Sequence, residues 1–284
     1  MNTKHLVSVI VTTKNNHATL EACLSSIVRQ TYQPLELIVV DNHSRDDTPD
    51  IARRYTTHIY TRGPERSAQR NFGVRKAQGD YVLIIDSDME LDEQVVAACV
   101  EWVRTEPGAQ ALIIPEESFG RGFWAQCKRL ERSFYVGQDA IEAARFFAKD
   151  LYTRVQGYNE ALTGGEDWDL TNRVREHTTV GRIAPFIFHN EGHPRFSRTL
   201  HKMYYYGRHA QAYFAANPGA SALTSQSGPL ARYMLFFSKP HTLLAQPFTA
   251  AGMLLLKTGE YAAASAGMLT ERLRPHRITK KESA

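Results

Sequence analysis

"DYVLIIDSDMEL", residues 80–91, decides the fold. Val82, Leu83, Ile84 and Ile85 read as a strand apolar on both faces, yet the run ends in Asp86 and Asp88. An unpaired carboxylate is costly to bury, so these acids belong where a sheet opens to solvent. The same grammar recurs on either side. "LVSVIV" (6–11) stops at the polar "TTKNN", "LELIVVDNHS" (35–44) carries Asp41 at its end, "HIYT" (58–61) is a short third strand, and "AQALIIP" (109–115) a fifth. Between them lie helical stretches. "ATLEACLSSIVRQ" (18–30) spaces Leu20, Cys23, Leu24, Ile27 and Val28 on one helical face, and 46–55, 65–79 and 92–105 also read as helices. Strands alternating with helices predict an α/β fold with a mostly parallel sheet covered on both faces. Ligands of such sheets collect at the carboxyl ends of the strands, where Asp41, Asp86 and Asp88 fall.

The rest of the chain reads less regularly. Residues 122–135 and 139–155 are expected to be helical at least in part, "TGGEDWDLTNRVRE" (163–176) runs from a glycine turn into a helix, and 182–194 combine a strand with a polar loop. The 284 residues, 43% hydrophobic, suit one large domain or a domain with an appendage. Three scattered cysteines, with no C-x-x-C, argue against a disulfide framework or zinc knuckle and point to a reducing compartment. The first apolar run is too short for a signal peptide.

Charge is unevenly spread. Residues 1–194 carry 22 Lys/Arg and 27 Asp/Glu, a net of −5; residues 195–284 carry 12 and 3, a net of +9. A nucleic-acid binder would line its functional cleft with the basic surface, so nucleic acid is not expected as a partner. The basic third also alternates apolar blocks with sparse cations. Thr242–Leu256 is uncharged but only 15 residues long and contains Gln246 and Pro247, whereas a spanning helix needs about 20 apolar residues. Interfacial helices on a membrane surface fit this composition; an ordinary core-packing or dimer-forming helical extension is the competing reading.

Asp86 and Asp88, two residues apart on extended chain, project to one side. Their mutual repulsion is relieved by a cation, and hard carboxylate oxygens suit Mg²⁺ or Mn²⁺ sharing its shell with phosphates. Acids after a strand also commonly cap a helix or face water. Gly164 and Gly165 allow a tight turn, and Glu166 and Asp167 then open a helix, where acids are favoured by capping and the helix dipole alone.

Four stretches in order, "VSVIVTTKNN", "LELIVVDNHSRDDT", "ERSAQRNFGVRKAQGDYVLIIDSDMEL" and "GGEDWDLTNRV", resemble the family 2 glycosyltransferases, which have the GT-A fold of nucleotide-diphospho-sugar transferases. The resemblance spans about residues 5–195 and implies a catalytic domain over 1–195, followed by a basic, aromatic helical extension over 196–284. It implies that Thr12, Thr13 and Asn15 lie against the nucleotide and Asp41 accepts from the base. Arg66 and Asn71 would close over base and ribose or pyrophosphate. Asp86 would bind ribose or a metal-bound water, and Asp88 would ligate the divalent ion. Asp167 would be the catalytic base of an inverting transfer, with Glu166 orienting the acceptor or exchanging roles with it. Trp168 would stack on a sugar or fill the core. His189, with His193 behind it, would be a further metal ligand or a structural histidine. "KMYYYGRH" is similar to the basic-aromatic segment of membrane-associated members. Lys202, Tyr204, Tyr205, Tyr206 and Arg208 would then face headgroups or a lipid diphosphate, or pack on the catalytic domain.

The expectation is a metal-dependent, inverting enzyme using a UDP-, GDP- or TDP-sugar and a lipid-linked acceptor, peripheral on the cytoplasmic face of a membrane. A nucleotidyltransferase would want a glycine- and basic-rich loop where "TTKNNHATL" stands, and a dinucleotide dehydrogenase would want G-x-G-x-x-G there. A non-catalytic sugar-nucleotide or lipid-binding scaffold would be expected to lack an acid at position 88 or 167, and both are present.

Overall fold

A computed structural model describes residues 4–106, 108–217 and 228–273. Elements are numbered in chain order. β1 (Val7–Thr13) is buried along its whole length and takes the middle of the main sheet. β2 (Leu35–Asp41) and β4 (Tyr81–Asp86) flank it in parallel, and β3 (Ile59–Thr61) extends the sheet beyond β2. The register sets Thr12 beside Asp86 and Thr13 beside Asp41, so the polar ends of three strands finish at one edge.

Alternation along these strands builds two cores. Val7, Val9, Val11, Leu83 and Ile85 pack with α1 (His17–Val28) and α4 (Val95–Thr105) on one face. Ile10, Ile38, Val40, Val82 and Ile84 pack with α3 (Arg66–Lys76) and α7 (Glu166–Arg175) on the other. Each such fully buried side chain contributes about 1.5–3 kcal/mol relative to exposure. The short α2 (Thr48–Arg53) joins β2 to β3.

Residues 139–155 depart from the helical expectation. Lys149–Arg154 forms α6, but Ala144–Ala148 is a strand, β8, inserted antiparallel between β4 and β6 (Ala111–Ile113). Phe146 enters the first core, stacking on Tyr81 at 5.1 Å, and Phe147 enters the second. Adjacent aromatics on opposite faces demand a period of two. β9 (Val180–Arg182) pairs with β6 and completes the order β3-β2-β1-β4-β8-β6-β9, which is mostly parallel. A second sheet sets β10 (Ile187–Asn190) between β5 (Met89–Leu91) and β7 (Glu116–Phe119). Its register puts His189 beside Met89, next to Asp88.

The C-terminal helices are α8 (Phe196–Ala216), α9 (Pro229–Phe237), α10 (Pro240–Ala245) and α11 (Pro247–Arg272). Residues 218–227 and 274–284 of the expected extension lie outside the described residues. α11 packs on α5 (Phe123–Ser133), where Cys127, Leu130 and Phe134 share a third core with Phe236, Ala250, Met253 and Leu256. α11 also crosses α8 at backbone contact: a Cβ on Gly207 would sit 2.1 Å from the Ala264 carbonyl oxygen, and one on Gly267 2.2 Å from that of Tyr204. Lys128 and Glu131 of α5 interleave with Lys257 and Glu260 of α11 as a buried group of alternating charge. Among the described residues, no helix is long and apolar enough to cross a membrane.

Candidate active site

The polar strand ends meet two loops. Ser44 donates its backbone N–H (2.8 Å) and its hydroxyl to the Asp41 carboxylate, and itself accepts from the Asn15 backbone N–H at 2.7 Å. Asn15 returns a hydrogen bond by accepting from the Arg45 N–H at 2.8 Å. These bonds fix the floor of an open cleft of about 780 Å³ lined by Asp41, His43, Ser44, Ile59 and Thr61 among others. Thr12 donates to Asp86 at 3.1 Å, and Thr13 is buried beside Asp41.

Asp86 is claimed from inside. Arg70, fully buried, donates to both its oxygens at 2.8 and 3.0 Å, reaches Asp167 at 2.9 Å and Glu166 at 3.5 Å, and lies over the Tyr158 ring. Burial alone would raise the Asp86 carboxyl, but Arg70, Arg145 and Arg66 override it and hold it well below the usual carboxylate range. The two acids that open α7 differ. Glu166 is sealed, with its side chain 2% exposed and bridged to Arg66 at 2.5 Å. Burial, and then the charge of Asp167, push its carboxyl above the ordinary value. Asp167 is 30% exposed and opens, with Arg66, Arg145, Tyr135 and Trp168, onto a cavity of about 240 Å³.

Asp88 stands beside this group, 40% exposed, with its carboxylate 3.5 Å from His189 Nε2. Behind the histidine, Glu116 lies 3.8 Å from Nδ1 and also takes Arg145 Nε at 2.6 Å and Arg132. Burial lowers the His189 pKa, but hydrogen bonding to Asp88 and Glu116 outweighs it, so that it is pushed up to about 9. A carboxylate oxygen and an imidazole nitrogen converging at the sheet edge suit Mn²⁺ or Mg²⁺ with the rest of its shell from diphosphate and water. Among the described residues, no cluster of three or more His, Cys, Asp or Glu forms a cage by itself. His193 lies apart, over Gly122.

The structure thus brings Asp86, Asp88, Glu166, Asp167, Arg66 and His189 together, with Thr12, Thr13, Asn15 and Asp41 along the adjoining edge. Asn71 is directed elsewhere. Its amide donates to the Tyr158 carbonyl (2.8 Å) and Glu160 (3.0 Å) and accepts from Tyr152 (2.7 Å) and the Tyr158 N–H (2.9 Å). All four bonding positions are filled by protein, so it has none left for ribose or pyrophosphate. Trp168 lines the cavity, with its indole N–H donated to the Ile141 carbonyl at 2.7 Å.

The C-terminal helices reach this cavity. Tyr213 packs where a Cβ on Gly165 (φ +78°) would come within 2.6 Å, Tyr206 lies against Gly164, and the Arg232 guanidinium covers Tyr135 at 4.5 Å and Trp168 at 6.0 Å. Of the residues expected at a lipid surface, Tyr206 therefore turns inward, and Arg208 pairs with Glu271 at 2.9 Å. The Tyr204 backbone lies against Gly267, whereas Lys202 and Tyr205 remain at the surface.

Sequence reading missed Arg70, Glu116, Arg132 and Arg145. Arg70 had a usable signal: it is one helical turn from Arg66, on the same face. The others lie where no periodicity marks them.

The profile of Glycosyl transferase family 2 matches residues 8–154, just over half of the chain. The chain belongs to this family. A GalNAc(5)-diNAcBac-PP-undecaprenol beta-1,3-glucosyltransferase of Campylobacter jejuni is 34% identical over 190 residues, 60% of each chain. The putative glycosyltransferase EpsH of Bacillus subtilis is 31% identical over 114 residues, 38% of this chain and 32% of its own length. These matches thus span from about a third to three-fifths of the relatives' lengths. Among solved structures, the Pyrobaculum calidifontis mannosyltransferase PcManGT, in complex with GDP-Man and Mn²⁺, superposes with a TM-score of 0.59 at 20% identity, covering 96% of this chain and 88% of that one. Glucosyl-3-phosphoglycerate synthase of Mycobacterium tuberculosis, with Mg²⁺ and UDP, gives 0.52 at 19% identity, over 75% and 79%. The fold is GT-A.

Proposed function

We propose that this family 2 member is a metal-dependent, inverting glycosyltransferase that moves a sugar from a UDP-, GDP- or TDP-type donor to a hydroxyl of a polyprenyl-diphosphate-linked glycan. The observation that carries it is the junction at Arg70, which ties Asp86 at the strand ends to Asp167 at the adjoining cavity. Relatives support the reading: one is named for an undecaprenyl-diphosphate-linked substrate, and structural neighbours hold nucleotides with Mn²⁺ or Mg²⁺.

In this reading the base and ribose occupy the cleft over Asp41, and the diphosphate lies along Asp86 and Asp88. Asp88 and His189 would hold the divalent ion, which offsets charge on the leaving diphosphate. Burial raises the Glu166 carboxyl above its ordinary value, but it has no access. Asp167 faces the cavity and takes the proton of the acceptor hydroxyl; geometry precedes pKa in choosing a base. The acceptor oxygen then bonds to the anomeric carbon as the carbon–oxygen bond to the diphosphate breaks on the opposite side, and configuration inverts. Glu166 and Arg66 hold the turn that positions Asp167. The C-terminal helices keep the protein peripheral on the cytoplasmic membrane face, near its lipid-linked acceptor.

The test is Asp167→Asn, assayed with UDP-, GDP- and TDP-sugars, Mn²⁺ and polyprenyl-diphosphate-linked N-acetylhexosamine acceptors. Donor affinity should stay within about twofold while transfer falls by about 10²–10⁴. Turnover retained in this variant would remove Asp167 as the base.

A further inference from the structure

We infer that the protein meets an anionic lipid bilayer through one apolar ridge built from α9, α10 and the start of α11; the inference rests on the membrane-associated reading above. α9 is two-sided. Arg232 and Phe236 are buried, the first against the cavity wall, whereas Leu230, Met234 and Phe237, spaced i, i+4 and i+7, are exposed together on another stripe. The ridge continues through Leu244 and Phe248, 77% and 84% exposed, on either side of the bend at Gln246 and Pro247. Every residue from 244 to 248 is exposed, so this edge protrudes rather than forming a groove.

Residues 218–227 and 274–284 contain two large aliphatic side chains between them, Leu223 and Ile278. Charge selects the occupant. Residues 195–273 contain two acids, and both are engaged: Glu260 with Lys128 and Lys257, and Glu271 with Arg208. Lys239, between α9 and α10, has no acid partner among the described residues, and Arg274, Arg277, Lys280 and Lys281 follow α11 in sequence. Apolar side chains beside Lys239, in a stretch whose sequence is rich in cations and poor in acids, match a headgroup layer above acyl chains. The inner stripe of α9 touches Tyr135 and Trp168, so docking by the outer stripe brings the cavity to the bilayer surface, where the sugars of a lipid-linked acceptor lie.

The test is sedimentation of the full chain with phosphatidylcholine vesicles, with and without phosphatidylglycerol. The wild type should bind the phosphatidylglycerol vesicles. Leu244→Asp with Phe248→Asp should lower partitioning at least tenfold, Val28→Asp on α1 should leave it unchanged, and tryptophan emission of Phe248→Trp should shift to the blue on binding. Wild type remaining in the supernatant, equal binding by the double variant, or a concentration-dependent dimer abolished by the double variant would each overturn the ridge as a bilayer contact. Binding of UDP, GDP or TDP with Mn²⁺ in the same samples reads the catalytic site separately. For the wild type, absent vesicle binding with nucleotide binding intact sinks the ridge alone; absent nucleotide binding with vesicle binding intact sinks the transferase reading and leaves the ridge standing.

Discussion

Arg70 is the side chain whose removal should cost most. Arg70→Met keeps a long apolar stem over Tyr158 but strips the cation from Asp86, Asp167 and Glu166, leaving acids in a low-dielectric setting without their partner. Breaking a buried pair from one side costs about 3–5 kcal/mol, and urea unfolding should show a loss of that size; an unchanged midpoint would mean that the carboxylates find other partners. At this scale the sequence was legible for acids and poor for their counter-ions. Asp86 and Asp88 announce themselves by sitting where an apolar run stops, and Asp167 by following two glycines at a helix start. Arg70 shows only its helical spacing from Arg66, because a buried arginine has the same letter as a solvated one. Consecutive helical residues diverge by about 100°, which is why Asn71, next in the chain, ends on the far side holding the loop at Tyr158 and Glu160.

Among elements, the seam between α5 and α11 contributes to the acid limit of stability. Burial would raise the Glu131 carboxyl, but Lys128 and Lys257 override it and hold it below its ordinary value. A depressed carboxyl contributes stability that is present above the unfolded-state value, about 4.3, and is lost as pH falls toward the folded-state value. Unfolding free energy should therefore begin to drop below about pH 4.3, and Glu131→Gln should flatten that acid slope while weakening the protein near neutrality. An acid slope identical in the variant would assign the loss to other carboxylates. β1, β2 and β4 could be read directly, since runs such as "VSVIV" are too apolar for anything but a covered strand. β8 could not: its five residues gain strand identity from the neighbours they slot between, and one adjacent pair of aromatics is too short to show a period. The turn into α7 was readable because two glycines precede its acids.

For the whole molecule, nucleotide and metal should act as one ligand. A donor nucleotide at a hundred times its dissociation constant stabilises the folded chain by about 2.7 kcal/mol, so UDP, GDP or TDP with Mn²⁺ should raise the melting temperature. Asp88→Asn should erase the manganese-dependent part of the rise. An undiminished rise in that variant would take Asp88 out of the metal site. The charge asymmetry between residues 1–194 and 195–284 was plain from composition. What composition hid is that part of the basic third faces inward, with Arg232 covering the cavity wall and Arg208 tying α8 to α11. One planar cation gripped by Asp86 on one side and Asp167 on the other works as a gauge block. In the proposed reaction its covalent dimensions would set the gap between the departing diphosphate and the proton acceptor. On that proposal, neighbouring side chains such as Tyr135 and Trp168 would be free to change with the acceptor without that gap drifting.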